Sequence, residues 1–301
     1  MKDFCVFSLK SYSVLFVILI LLFGLDYKIS LNLAGPKILG TSTEIVSDYP
    51  ILKSNIIPQI SAEGVVVMDA DSKVVLYEKN PNLRFSLAST TKIMTALTAL
   101  EYFHPNDLLT VKDAATEGVV LGLKVGQKIT FENLLYALLL PSANDMAFTI
   151  AENYGSVDSF VRKMNKNAVK FNLYNTHYQD PAGLQDDGDY TTPFDLARLS
   201  SFAIGNETFA KVVSTKEKTI VDADGNLYPI KNLNKLLGFD GVDGIKTGTT
   251  TGAGQVLVTS KKEGVHTIII VIMGSQDRFA DTQKLLFLVS GNIIYLPIRP
   301  Q

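Results

Sequence analysis

The chain has 301 residues, 47% of them apolar, with 28 Lys and Arg against 30 Asp and Glu for a formal charge of −2. This is enough apolar chain to bury a full core, as one large domain or two small ones, and it excludes a disordered or collagen-like polypeptide. The balanced charge argues against a nucleic-acid binder that relies on phosphate neutralisation, so no nucleic acid is expected as a partner.

Lys2 and Lys10 flank an uncharged run, Ser11 to Leu25, dominated by Val, Leu, Ile and Phe. Residues 1–25 therefore read as a signal peptide or an N-terminal membrane anchor, and the two alternatives stay open. At about 1.5 Å per residue the run reaches roughly 22 Å, short of the ~30 Å hydrocarbon core, which favours a cleaved signal. The lack of an A-x-A-like cleavage site favours a retained anchor. Either places the folded part outside the cytoplasm, in the cell envelope. The only cysteine, Cys5, lies in this segment, so the rest of the chain has no intrachain disulfide and no thiolate metal site. Residues 26–60 read as a linker, 61–293 as the folded domain and 294–301 as a C-terminal tail.

Gly64 to Met68 and Lys73 to Tyr77, either side of Asp69-Ala70-Asp71-Ser72, predict a hairpin. Ile93, Met94, Leu97 and Leu100 recur at helical spacing and predict a helix from about Thr90 to Phe103. Further helices are expected at 131–140, 143–154 and 156–171, the last capped by Ser156. Arg162, Lys163, Lys166 and Lys170 on that segment read as a solvated face. Thr192-Pro193-Phe194-Asp195 has the chemistry of a helix start, leading into Leu196 to Ile204. Val256–Ser260 and His266–Gly274, separated by Lys261-Lys262-Glu263-Gly264, predict a second hairpin, followed by a helix at about 277–290. Strands at both ends with helices between give an α+β domain, an antiparallel sheet flanked by helices with an inserted helical subdomain.

Three short motifs carry chemistry. Ser89-Thr90-Thr91-Lys92 opens the first long helix, where an i, i+3 pair shares a face. A serine hydroxyl needs a base to become a nucleophile, and a lysine serves only if burial or neighbouring positive potential holds it partly neutral. Ser142-Ala143-Asn144 follows the apolar run Leu138-Leu139-Leu140-Pro141, where a buried helix breaks into a turn. Lys246-Thr247-Gly248 lies in a glycine-interrupted stretch, where glycine permits close approach to the backbone. Taken singly, each also fits a plain structural role as a cap, a turn or an edge strand. His104, His177 and His266 lack metal-ligand spacing, so neither a metal nor a cofactor is expected.

Together, the ordered triple S-x-x-K, S-x-N and K-T-G is that of serine β-lactamases and penicillin-binding proteins. The stretches Leu87 to Leu97, Asn175-Thr176-His177 with Asp180 to Leu184, and Gly241 to Gly248 closely resemble the D-alanyl-D-alanine carboxypeptidases, low-molecular-weight penicillin-binding proteins, over about Glu63 to Val289. The resemblance implies a β-lactamase/transpeptidase-like fold and a serine-type carboxypeptidase that removes the terminal D-Ala from peptidoglycan stem pentapeptides. It implies Ser89 as the acylated nucleophile, Lys92 as the acceptor of its proton and Ser142 as a proton relay to the leaving amine. Asn144 would hold the substrate amide, and Lys246, Thr247, Gly248 and Thr249 would line the place of its carboxylate. The backbone N–H groups of Ser89 and Thr249 would form the oxyanion hole. Stem peptides and, as covalent inhibitors, β-lactam antibiotics are the implied partners. A D,D-endopeptidase acting on cross-links shares these motifs and is the alternative. A class A β-lactamase is disfavoured because no E-x-x-L-N pentad occurs. Thr249 itself is a departure, since many relatives carry an aromatic or histidine directly after K-T-G.

Overall fold

In the computed structural model, residues 47–54, 56–113 and 117–298 are described. The chain enters through β1 (Ser47–Leu52) and forms the hairpin β2 (Gly64–Asp69) and β3 (Val75–Lys79). A tight turn at Ala88–Thr90 then leads into α1 (Thr91–Leu100). The short pair β4 (Leu108–Thr110) and β5 (Lys128–Thr130) precedes α2 (Phe131–Leu139), α3 (Asn144–Tyr154) and α4 (Val157–Lys170). After α5 (Pro193–Ile204) and α6 (Glu207–Val213) comes a small hairpin, β6 (Glu217–Val221) and β7 (Leu227–Lys231). The chain returns to the sheet as β8 (Val242–Thr250), β9 (Gly254–Glu263) and β10 (His266–Ser275), and closes with α7 (Arg278–Val289) and β11 (Ile293–Ile298).

The main sheet is antiparallel, in the order β3-β2-β10-β9-β8, and with the surrounding helices makes an α+β fold. Its central strands are apolar on both faces because both are covered. Val66, Met68, Ile269 and Val271 join the helical core around α1, α2 and α5, while Val65, Val67, Ile268 and Ile270 pack with Leu285 and Leu286 of α7. Alternate side chains thus serve two separate cores, which is why β10 reads as an unbroken apolar run. At one edge, β8 is paired only with β9, which leaves its other edge toward the Ala88–Thr90 turn.

Helix starts follow local chemistry. The Thr192 side chain accepts from Asp195 N with Pro193 in the first turn, and Ser156 and Ser159 form a reciprocal capping box. The hairpin expected to turn through Lys261 to Gly264 turns later, at Gly264-Val265, with Gly264 at φ +64°. Lys261 belongs to β9 and is buried, its ammonium held by Glu263 at 2.8 Å and Asp240 at 3.4 Å. Ser47–Leu52, inside the segment read as a linker, is a strand paired antiparallel with Ile293–Ile298, which begins on the last residue of the expected domain and runs into the segment read as a tail.

The expected signal or transmembrane helix is corrected. Its residues, 1–25, lie outside the described ones, and no described helix is long and apolar enough to cross a membrane. The longest of these, α4, has 14 residues and so spans only about 21 Å of the ~30 Å needed.

Candidate active site

Ser89 sits in the tight turn that precedes α1, a turn held by the Thr90 hydroxyl donating to Leu87 O at 2.6 Å and entered through Ala88 at φ +47°. About one helical turn on, Lys92 is fully buried. Its Nζ donates to Ser89 Oγ at 3.1 Å, to Asn144 Oδ1 at 2.7 Å and to Ala182 O at 2.8 Å. Burial lowers its pKa to about 7, against the opposing pull of Asp180 and Asp145. Near neutral pH a sizeable fraction of Lys92 is therefore the free amine, able to accept a proton from the hydroxyl beside it.

Ser142 occupies the turn between α2 and α3 at φ +69°, and its buried Oγ has no hydrogen-bond partner. Asn144 begins α3. Its backbone N–H donates to Val119 O at 2.7 Å and its Nδ2 to Glu117 O at 2.8 Å, while its Oδ1 receives Lys92. The network fixes the orientation of this amide and leaves one Nδ2 hydrogen to offer a ligand. Asp145 accepts from the backbone N–H groups of Leu121 and Gly122, which staples the 117–122 loop onto the start of α3.

The third wall is β8. Lys246 is buried, with Nζ donating to Thr247 O at 3.0 Å. Burial first, then the nearby charges of Lys92 and Arg278, lower its pKa well below the usual lysine value. Gly248 allows the strand to press on the nucleophile turn, since a Cβ there would stand 3.2 Å from Ala88 Cβ and 3.3 Å from Ser89 N. Thr249 is exposed at the strand's end, where its hydroxyl donates to Gly248 O at 2.7 Å.

Sequence reasoning missed Arg278. From the first turn of α7, its Nη1 donates to Gly248 O at 2.8 Å and to Thr249 Oγ1 at 2.7 Å. No local pattern marks it; only the return of α7 to the end of β8 brings it there. Beside it an open groove of ≈ 650 Å³ is lined by Thr249, Gln255, Gln276 and Phe279 among others.

The segment between α4 and α5 closes the site from the remaining side. Gly183 lies so near the nucleophile turn that a Cβ would come 1.9 Å from Ala88 O. Asp186 accepts from Ser86 Oγ at 2.6 Å, Thr250 Oγ1 at 2.5 Å and Gly252 N at 3.0 Å, which ties this segment both to the residues before Ser89 and to the β8–β9 turn. Although burial acts the other way, these hydrogen bonds hold the Asp186 carboxyl below its ordinary pKa. The histidines stand elsewhere. His104 is exposed beside Asp107, His177 pairs with Tyr190 and His266 stacks on Tyr295.

Residues 52–277 match the sequence profile of a family described as D-alanyl-D-alanine carboxypeptidase. A D-alanyl-D-alanine carboxypeptidase of Streptomyces sp. (strain K15) is 36% identical over 253 residues, covering 76% of this chain and 87% of that protein. The carboxypeptidase DacF of Bacillus subtilis (strain 168) is 33% identical over 237 residues, 75% of this chain but only 61% of that longer protein. Among solved structures, the crystal structure of the Streptomyces K15 DD-transpeptidase superposes with a TM-score of 0.73 at 34% identity, over 77% of this chain and 98% of that one.

Proposed function

The chain belongs to the D-alanyl-D-alanine carboxypeptidase family, and on that premise we propose that it cleaves the terminal D-Ala from peptidoglycan stem pentapeptides through an acyl-enzyme on Ser89. The observation that carries this reading is the buried Lys92 amine, 3.1 Å from the Ser89 hydroxyl and at a pKa of about 7. Neutral Lys92 takes the Ser89 proton as Oγ bonds to the carbonyl carbon of the penultimate D-Ala. The backbone N–H groups of Ser89 and Thr249 face the developing oxyanion. As the C–N bond breaks, the proton passes through the unpartnered Ser142 hydroxyl to the leaving amine. Water then releases the shortened peptide, with Lys92 as the base.

Asn144 offers its free Nδ2 hydrogen to the substrate amide. The terminal carboxylate lies against Lys246, Thr247 and Thr249, where Arg278 adds a fixed positive charge. A penicillin presents a strained amide and a carboxylate in the same relation and acylates Ser89. Such a substrate places the enzyme outside the cytoplasm, in the cell envelope. The test is mass spectrometry of the protein after incubation with benzylpenicillin. A single adduct mapping to the peptide that holds Ser89, absent from Ser89→Ala, supports the reading; no adduct, or one that survives Ser89→Ala, overturns it.

A further inference from the structure

Lys92 has three acceptors, and the third lies outside the S-x-x-K, S-x-N and K-T-G motifs. It is the carbonyl of Ala182, in the segment between α4 and α5, and what holds that carbonyl in place is a single side chain. The Asp180 carboxylate accepts four successive backbone N–H groups, with Oδ1 taking Ala182 at 2.6 Å and Gly183 at 2.7 Å, and Oδ2 taking Leu184 at 2.8 Å and Gln185 at 3.0 Å. With both oxygens used, the turn curls around the carboxylate, and its peptide groups point N–H inward. The Ala182 carbonyl points away from it, onto Lys92. Gly183, the next residue, is the one that touches the nucleophile turn at Ala88 O.

Asp180 is itself buried, and behind it stands a second buried carboxyl, Asp189. Asp189 accepts from Gln179 N with Oδ1, and its buried Oδ2 has no hydrogen-bond partner. Burial, then the charge of Asp180, raises its pKa to about 8. At neutral pH the Asp189 carboxyl is thus largely protonated. The buried Tyr178 faces Asp189 as well, while Lys92 faces Asp145 and, across the site, Lys246.

We propose that Asp180 is a positioning residue for the acylation step: by folding the Ala182–Gln185 turn it aims the Ala182 carbonyl at Lys92, and so fixes the amine on the Ser89 hydroxyl, with buried Asp189 behind it. The proposal rests on Lys92 being the base for Ser89. Asp180 acts on Lys92 in two ways, through the carbonyl it orients and through its own negative charge, which favours the ammonium form.

The experiment measures the rate of Ser89 acylation by a fluorescent penicillin from pH 5 to 10 in the wild type, Asp180→Asn and Asp189→Asn. An asparagine at 180 has one acceptor oxygen for four N–H groups and no charge. The rate plateau is expected to fall about 10-fold or more, and the acid limb set by Lys92 to move down by about one pH unit. Asp189→Asn keeps an acceptor for Gln179 N and leaves the four N–H bonds of Asp180 in place, so it is expected to match the wild type at pH 7 within about twofold. A lower plateau with the acid limb unmoved would mean a merely structural loop and overturn the proposal, as would an unchanged Asp180→Asn.

If Asp180→Asn does not fold, the wild type and Asp189→Asn are compared at pH 9, where ionised Asp189 sets a second negative charge against Asp180. The wild type should then be slower by severalfold, and equal rates contradict the proposal by leaving any alkaline loss to Lys246. A wild type that is not acylated at any pH would instead defeat the assignment of function.

Discussion

At the scale of single residues, the site depends on where protons sit. Lys92 is buried among three acceptors, and desolvation lowers its pKa despite two neighbouring carboxylates. Acylation is therefore expected to rise through about pH 7 as the ammonium loses its proton, which stopped-flow measurement with a chromogenic penicillin will follow. A lysine pKa depressed on folding also means that Lys92 stabilises the fold above its unfolded pKa of about 10.5, a contribution lost as pH falls through about 7. Lys92→Arg keeps a charge that no pH in the working range removes, and is expected to cost about 10² to 10⁴ in acylation rate. Gly183 shows the steric side of the same precision. With φ at +80° and Ala88 O where a Cβ would stand, Gly183→Ala must displace the nucleophile turn. We expect acylation to fall about 10-fold or more while the circular dichroism of the helices is retained.

At the scale of elements, three pieces remote in sequence are brought together: the turn before α1, the end of β8 and the segment between α4 and α5. Asp186 fastens all three, so Asp186→Ala is expected to destabilise the protein by about 1–3 kcal/mol in urea unfolding. Arg278 braces the end of β8 from α7. Arg278→Ala should raise KM for a pentapeptide about 10-fold or more, yet leave KM for the same peptide with an amidated C-terminus nearly unchanged, since only the carboxylate meets the guanidinium.

How much of this was legible depends on whether the signal is local. Thr192-Pro193 at the start of α5 and the i, i+3 relation of Ser89 and Lys92 are written in neighbouring residues, and the structure shows both. The contact of Lys92 with Ala182, the four N–H bonds of Asp180 and the reach of Arg278 to Thr249 join residues that only the closed fold makes neighbours. Charge misled where it is paired internally. Lys261 reads as a turn residue because one of its two carboxylates, Asp240, is remote in sequence, and the other, Glu263, reads as part of the same polar turn. On α4, by contrast, Lys163 and Lys170 stand at the surface as a solvated face should, both paired with Glu101 at 2.8 Å.

At the scale of the molecule, the two ends of the described chain meet. β1 pairs with β11 along its length, and Tyr295 of β11 ties this pair to the main sheet by stacking on His266 at 3.5 Å and donating its hydroxyl to Asp69 Oδ2 at 3.1 Å. Neither strand had a clear signal, because short apolar pieces near Ser and Pro read as linker until a partner strand supplies the missing hydrogen bonds. Tyr295→Ala is expected to lower stability by about 1–3 kcal/mol without changing acylation of Ser89, as judged by urea unfolding beside penicillin binding. This end of the sheet stands apart from the residues around Ser89.

The central claim is that Ser89, activated by Lys92, cleaves the bond between two terminal D-alanines. Its most direct measurement is the mass of a synthetic stem pentapeptide after incubation with the folded protein, run beside Ser89→Ala and beside protein treated with penicillin. The account predicts loss of one alanine residue from the peptide with the untreated wild type, and an intact peptide in the other two reactions. An intact peptide in all three, or the same loss with Ser89→Ala, would contradict it.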